Sequence, residues 1–194
     1  MSAGTGPHHA VLLAALLAGV LAGPTGCDDD APGRAPSDQR GLERSRRMLA
    51  QAALCESGAG GRAPACRAAC DLGHSNSCHV AGELTHAAPA EALALHTRAC
   101  DGGSGLGCEA AARARRAGIG GPRDTAAADR LDRSARFYLR VHCEQSHARS
   151  CLVLGRLFTT TRGGPADRGS SAIFLERACK LGRAEACAAP SAPF

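Results

Sequence analysis

Tryptophan is absent from this 194-residue sequence, tyrosine occurs once and phenylalanine four times, so a core built on large aromatic rings is excluded. Hydrophobic residues reach 44%, yet much of that share is alanine, which removes little apolar area from water when it packs. There is a single lysine, Lys180, and no serine stands three residues before it, which excludes a Ser-x-x-Lys nucleophile. No C-x-x-C and no H-x-H occurs, which argues against a zinc site with closely spaced ligands. G-x-S-x-G, a phosphate-binding glycine loop before lysine and H-E-x-x-H are also missing, and with them three common hydrolytic and phosphate-handling chemistries. No Asp, Glu, Lys or Arg precedes Cys27.

What is present is cysteine. Eleven cysteines in a chain this short point to a disulfide framework, the usual reinforcement of a thin core, and hence to an oxidising compartment. The beginning of the chain agrees. Residues 10–23 (AVLLAALLAGVLAG) form an apolar run of 14, shorter than the roughly 20 residues of a membrane span but suited to the apolar region of a signal peptide. Pro24-Thr25-Gly26-Cys27 follows and resembles the end of a bacterial lipoprotein signal, with cleavage before Cys27 and a lipid on that residue. Residues 1–26 are thus expected to be a signal peptide. Residues 27–40, polar and without apolar periodicity, are expected to be a flexible tether, and 41–194 the folded domain. The expected location is the cell envelope, lipid-anchored and facing the periplasm or the exterior. With Cys27 lipidated, ten cysteines remain to pair.

The formal charge of +5 falls wholly on the mature part. Basic and acidic residues are interspersed along it, which speaks for a solvated surface and against a nucleic-acid partner.

From Gly41 to about Cys55, Leu42, Met48, Leu49 and Ala52 fall on one face of a helix, read as a capping helix. Beyond it the cysteines repeat. Cys70 and Cys78, Cys100 and Cys108, Cys143 and Cys151, and Cys179 and Cys187 are each separated by seven residues, and the first members follow one another by 30, 43 and 36. Ala69-Cys70, Ala99-Cys100 and Ala178-Cys179 are each followed by glycine at the third position after the cysteine, the mark of a helix ending at a left-handed glycine. Five residues before the first cysteine stand Leu95, Tyr138 and Phe174, and four after the second stand Gly82, Ala112 and Gly155. Large against small at fixed spacing predicts packing between them. Helices are expected at about 89–100, 125–143 and 169–179, with partners at about 77–86, 106–117 and 149–160. Gly118 to Asp124 and Gly163 to Asp167 supply the turns between hairpin partners.

A glycine-rich turn ending in Asp, a Leu or aromatic residue, Ala-Cys-x-x-Gly and a second cysteine after seven residues resemble the Sel-one-like repeats. These are relatives of the tetratricopeptide repeat, and in particular the pattern resembles the secreted bacterial cysteine-rich subfamily. The resemblance covers about Cys66 to Ala188 and is clearest in Cys143 to Cys187. It implies an all-α fold, a right-handed solenoid of antiparallel helix hairpins, with each seven-residue cysteine pair joined as a disulfide from the end of one hairpin to the start of the next. Cys55 and Cys66 are the fifth pair, although Cys66 and Cys70 lie one helical turn apart and are placed to exchange partners. The inner surface, lined mainly by the first helix of each hairpin, suits a protein or peptide. The function so implied is that of an envelope-anchored scaffold or adaptor, non-catalytic, without cofactor or metal, whose partner is an envelope protein or peptide. Some cysteine-rich relatives are linked to β-lactam binding or hydrolysis, which makes that enzyme class the alternative.

Two contests remain among the residues. His142 beside Cys143 suggests a base next to a thiol, but neighbours on a helix point about 100° apart. Arg130, Arg133, Arg136 and Arg140 form a basic stripe, in which Asp129 with Arg133 and Asp132 with Arg136 are expected as i,i+4 pairs on a solvated face. Arg113, Arg115 and Arg116 are less neutralised and are the candidate partner-contacting patch.

Overall fold

The computed structural model describes residues 36–59 and 61–187. Their regular elements are helices: α1 (Pro36–Ser57), α2 (Arg62–Asp71), α3 (Ser75–Leu84), α4 (Pro89–Asp101), α5 (Gly105–Ala117), α6 (Thr125–Glu144), α7 (Ala148–Phe158), α8 (Arg168–Lys180) and α9 (Ala184–Cys187). From α2 onward each helix packs on the next, so the described residues form an all-α solenoid of antiparallel hairpins cross-linked by disulfides. Among the described residues no helix is long and apolar enough to cross a membrane. Residues 10–23 and Cys27, with the expected leader and lipid site, lie outside them.

Local chemistry sets the helix boundaries. Asp124 Oδ1 accepts the Ala127 N–H at 2.8 Å at the start of α6, and Asp167 Oδ1 accepts that of Ser170 at 3.0 Å at the start of α8. Ser104 caps α5 through the Gly107 N–H, and Pro89 opens α4 where its missing N–H leaves nothing unpaired. At the other ends, Gly73, Gly103 and Gly182 carry φ of 108°, 88° and 91°, the left-handed turn that the third position after each cysteine requires. The third unit puts Ser146 there, at φ 67°, a conformation that disfavours an L-residue by about 1 kcal/mol.

These turns bring each helix end beside the next helix start. Cys55–Cys66, Cys70–Cys78, Cys100–Cys108, Cys143–Cys151 and Cys179–Cys187 are disulfides, with Cα atoms 4.4 to 4.8 Å apart. Sulfur substitutes for the missing aromatics. Cys70–Cys78 sits with Leu95 in one core cluster, Cys100–Cys108 with Leu139 and Leu154 in a second, and Cys143–Cys151 with Leu152 in a third.

Two expectations need correction. The residues that face the small positions Gly82 and Gly155 are not Leu95 and Phe174 but those one place later. A Cβ on Gly82 would lie 2.6 Å from His96, and one on Gly155 would lie 2.7 Å from Leu175. Leu95 instead joins the cluster around Cys70–Cys78, Tyr138 lies over Gly103, and Phe174 stacks on Phe158 at 5.6 Å. On a helix a one-residue slip is a 100° turn, enough to swap which side chain meets the neighbour.

The second correction concerns α1. It begins at Pro36, five residues before the expected start, with Asp38 favourably placed in its first turn. It covers little of the stack. Ala52 and Cys55 are buried, whereas Leu42 and Leu49 are exposed, Leu49 at 60%. The disulfide to Cys66 and the bond from Arg62 Nε to the Cys55 carbonyl hold its end.

Candidate binding cleft

The first helices of successive hairpins, α3, α5 and α7, also touch one another. Glu83 on α3 reaches Arg149 on α7, 66 residues away, and the two pair through both carboxylate oxygens. Between α3, α4 and α5 lies a cleft of about 580 Å³. Leu93, Ala92 and Ala114 give it apolar walls, Ile119 stands on it exposed, and Glu83, His96 and Arg113 supply its charge and polarity.

His96 is 8% exposed and its Nδ1 has no hydrogen-bond partner in the protein. His79, 4% exposed, lies behind it with ring centroids 5.3 Å apart. Neither position requires histidine. The residue four before the first cysteine is His96 in one unit and Leu139 and Leu175 in the next two, and the residue after the second cysteine is His79, then Glu109 and Leu152. The same backbone therefore packs with leucine at both places. Aligning the units on their cysteine pairs carries this signal in the sequence. From the sequence, the histidines near the cysteines, 74, 79, 96, 142 and 147, are expected as partly exposed surface residues, and the burial of His79 and His96 corrects this.

Burial, with help from His79 and Arg113, pushes the His96 imidazole down to about 4 against the pull of Glu83, so the ring is neutral near pH 7. Glu83 is held below the ordinary carboxylate range by the His79 imidazole 3.4 Å away and by Arg149, against burial, which opposes ionisation. A histidine whose folded value lies below its unfolded 6.5 contributes stability that is fully present above 6.5. That stability drains as pH falls, because the unfolded chain binds the proton first, and it is gone below about 4. The expected result is a loss of about 3 kcal/mol between these limits. In His96→Leu the slope over that window should flatten, while the loss from Glu83, which begins only near 4.5, remains. Urea unfolding at a series of pH values measures both, and an equal slope in the two proteins would refute the assignment.

The structure divides the three candidate arginines. Arg113 lies on the cleft, its side chain 66% exposed, with one bridge of 3.4 Å to Glu109. Arg115 lines the neighbouring surface between α4 and α6. Arg116 is spent inside the stack, paired with Asp129 at 3.1 Å and with Asp132. Asp132 is not on a solvated face: it is fully buried and also takes Arg162 at 2.8 Å, while Glu109 takes Arg162 at 3.2 Å. Arg136, freed from the expected pair with Asp132, donates to the carbonyls of Leu157, Thr160, Gly164 and Pro165 and stacks 4.6 Å from Phe158. Arg140 lies 5.9 Å from the same ring.

The remaining residues singled out in the sequence are occupied elsewhere. Cys143 is bonded to Cys151, so His142 has no thiol beside it and stacks on His147 instead. Lys180 pairs with Glu176 at 2.6 Å. Among the described residues no group of three or more His, Cys, Asp or Glu is arranged to hold a metal ion.

Neither a protein-family model nor a curated protein matches the chain. Solved structures similar to it include a Sel1 repeat protein from Oxalobacter formigenes, 17% identical with a TM-score of 0.47, covering 74% of this chain and 42% of that one. A protective antigen of uropathogenic Escherichia coli displaying an SLR fold is 15% identical, with a TM-score of 0.38 and coverage of 77% and 40%. Cysteine rich protein B of Helicobacter pylori is 18% identical, with a TM-score of 0.41 and coverage of 75% and 92%. The chain spans about two fifths of the length of the first two.

Proposed function

We propose that this chain is a non-catalytic scaffold of the cell envelope that binds a protein or peptide on the face where α3 and α5 meet α4. The cleft between α3, α4 and α5 carries the reading: it is mostly apolar, with few polar groups, one of them a buried and unpartnered imidazole. The stacked hairpins and their disulfides hold that face rigid, which lowers the entropy lost on association. The envelope location is supported by the apolar run at 10–23 and by Cys27.

A photo-crosslinking residue placed at His86 or Ile119, both on the cleft, tests this in cells that make the protein. The expected result is one protein adduct of the same mass from both positions and none from Leu181 on the far end. Adducts absent from both cleft positions would overturn the reading. In the same cells Cys27→Ser should move the protein from the membrane fraction to the soluble one, and retention in the membrane would remove the lipid anchor from it.

A further inference from the structure

We infer that the exposed faces of α6 and α8 form a second contact surface, separate from the cleft, for an acidic protein segment that carries apolar side chains among its carboxylates. Aligning the units shows the apolar part. The position six before the first cysteine of each pair is Ala94 on α4, Phe137 on α6 and Ile173 on α8, and all three are exposed, the last two at 64%. Alanine serves at this place in one unit, so the packing of the stack asks for no large side chain there. A single exposed apolar residue is ordinary, whereas two at the same register on the second helices of successive hairpins leave apolar area that a partner would cover.

Arginine surrounds them. Around α6, Arg133 and Arg140 lie within about 60° of Phe137. They fall on the side toward α8, since Tyr138, on the other flank, lines the cavity between α4 and α6. Arg140 reaches across to the Phe174 ring at 5.9 Å, and Arg177 of α8 reaches back to the Glu144 carbonyl at 3.1 Å. Among the described residues none of these three guanidiniums pairs with a carboxylate. Asp129 pairs with Arg116, Asp132 with Arg116 and Arg162, and Glu176 with Lys180. Asp167 is occupied by the N–H and hydroxyl of Ser170 at the start of α8. That leaves the Glu144 carboxylate at the end of α6 against three cations.

The charge to be met is therefore negative, and the order of the residues decides between a protein and a bilayer. A helix that lies in a bilayer presents a continuous apolar stripe. Along α6 the exposed face instead reads Arg133, Phe137, Arg140, with a cation on each side of the ring, which matches carboxylates set between apolar side chains. A guanidinium takes a carboxylate through two parallel bonds, and aromatic residues and arginine are enriched in protein interfaces.

The test uses the full mature chain and a fluorescein-labelled octapeptide, Gly-Glu-Leu-Glu-Glu-Leu-Glu-Gly, beside a copy with glutamine in place of every glutamate. Anisotropy is expected to show binding of the acidic peptide and at least about tenfold weaker binding of the glutamine copy, the range of one charge-assisted contact. Arg133→Gln with Arg177→Gln should erase that difference, and Phe137→Ala with Ile173→Ala should weaken the acidic peptide about tenfold. Leu49→Ala, which trims a similarly exposed side chain on α1, should leave both affinities as they are. Far-ultraviolet circular dichroism checks that each variant is folded. Equal binding of the two peptides, no binding at about millimolar peptide, or full affinity in either double variant would overturn the inference. So would sedimentation of the Cys27→Ser chain with phosphatidylglycerol vesicles that is lost in Phe137→Ala with Ile173→Ala, because the surface would then belong to the bilayer. None of these residues lines the cleft between α3, α4 and α5, so failure here leaves the scaffold reading to its own crosslinking test.

Discussion

Reduction of the five disulfides is expected to unfold the helical stack under otherwise native conditions. Each closes a short loop, and on the loop-entropy account each is worth about 2 to 3 kcal/mol. Five together reach on the order of 10 kcal/mol, comparable with the whole net stability of a domain. Little else is available to replace them, because the clusters around the sulfurs are mainly alanine and leucine and no tryptophan contributes. Far-ultraviolet circular dichroism during a titration with reductant should lose most of its helical signal in one step as the central pairs open. A folded, fully reduced protein with a melting midpoint within about 5 °C of the oxidised one would show that the sulfurs only decorate a self-sufficient core. The bonds should also differ among themselves. Cys143 and Cys151 are fully buried between α6 and α7, whereas Cys187 is exposed on the four-residue α9. Replacing Cys143 and Cys151 together by alanine is expected to cost at least twice as much as replacing Cys179 and Cys187.

What can be read from the sequence divides by distance along the chain. The capping residues Asp124 and Asp167, the left-handed glycines at 73, 103 and 182 and the seven-residue cysteine spacing act within one turn, and they are legible as spelled. Hairpins follow from them, because a stop, a three-residue turn and a new cap leave two helices little choice but to fold back. The packing register is less legible. Leu95 and His96 are neighbours, and which of them meets Gly82 depends on a rotation that composition does not disclose. Least legible are ion pairs between units. Asp132 offers a tempting partner four residues on in Arg136, but its actual partners, Arg116 and Arg162, lie 16 residues before and 30 after it. The local pair loses because Arg136 has four carbonyls at the end of α7 and in the following loop to satisfy, a demand that exists only once the hairpin has closed.

That buried carboxylate is where a single substitution should do the most damage. Asp132 has no exposed side-chain surface, and the side chains of Arg116 and Arg162 beside it are 31% and 28% exposed. Arg162 donates to Oδ1 at 2.8 Å and to Oδ2 at 3.2 Å, a two-pronged contact that fixes the loop after α7 against α6. Gly163 presses on the same place, since a Cβ there would lie 2.5 Å from the Asp132 carbonyl oxygen. Asp132→Ala leaves two cations facing each other with half their compensation gone, and the expected loss is about 3 kcal/mol. For a domain of this size that is a fall of roughly 6 to 12 °C in melting midpoint. Arg162→Met alone should cost less, because Arg116 still answers the carboxylate. Asp132→Leu combined with Arg116→Met and Arg162→Met should recover most of the loss, since no charge is then left buried, although Glu109 and Asp129 lose a partner at the rim. The triple variant separates two uses of the same cluster. Recovery of stability would mean that the charges chiefly fix which loop docks on α6 rather than holding it there, whereas continued instability would mean that the three-way pairing is itself a net attraction. A change of less than about 1 kcal/mol for Asp132→Ala in urea unfolding would contradict both.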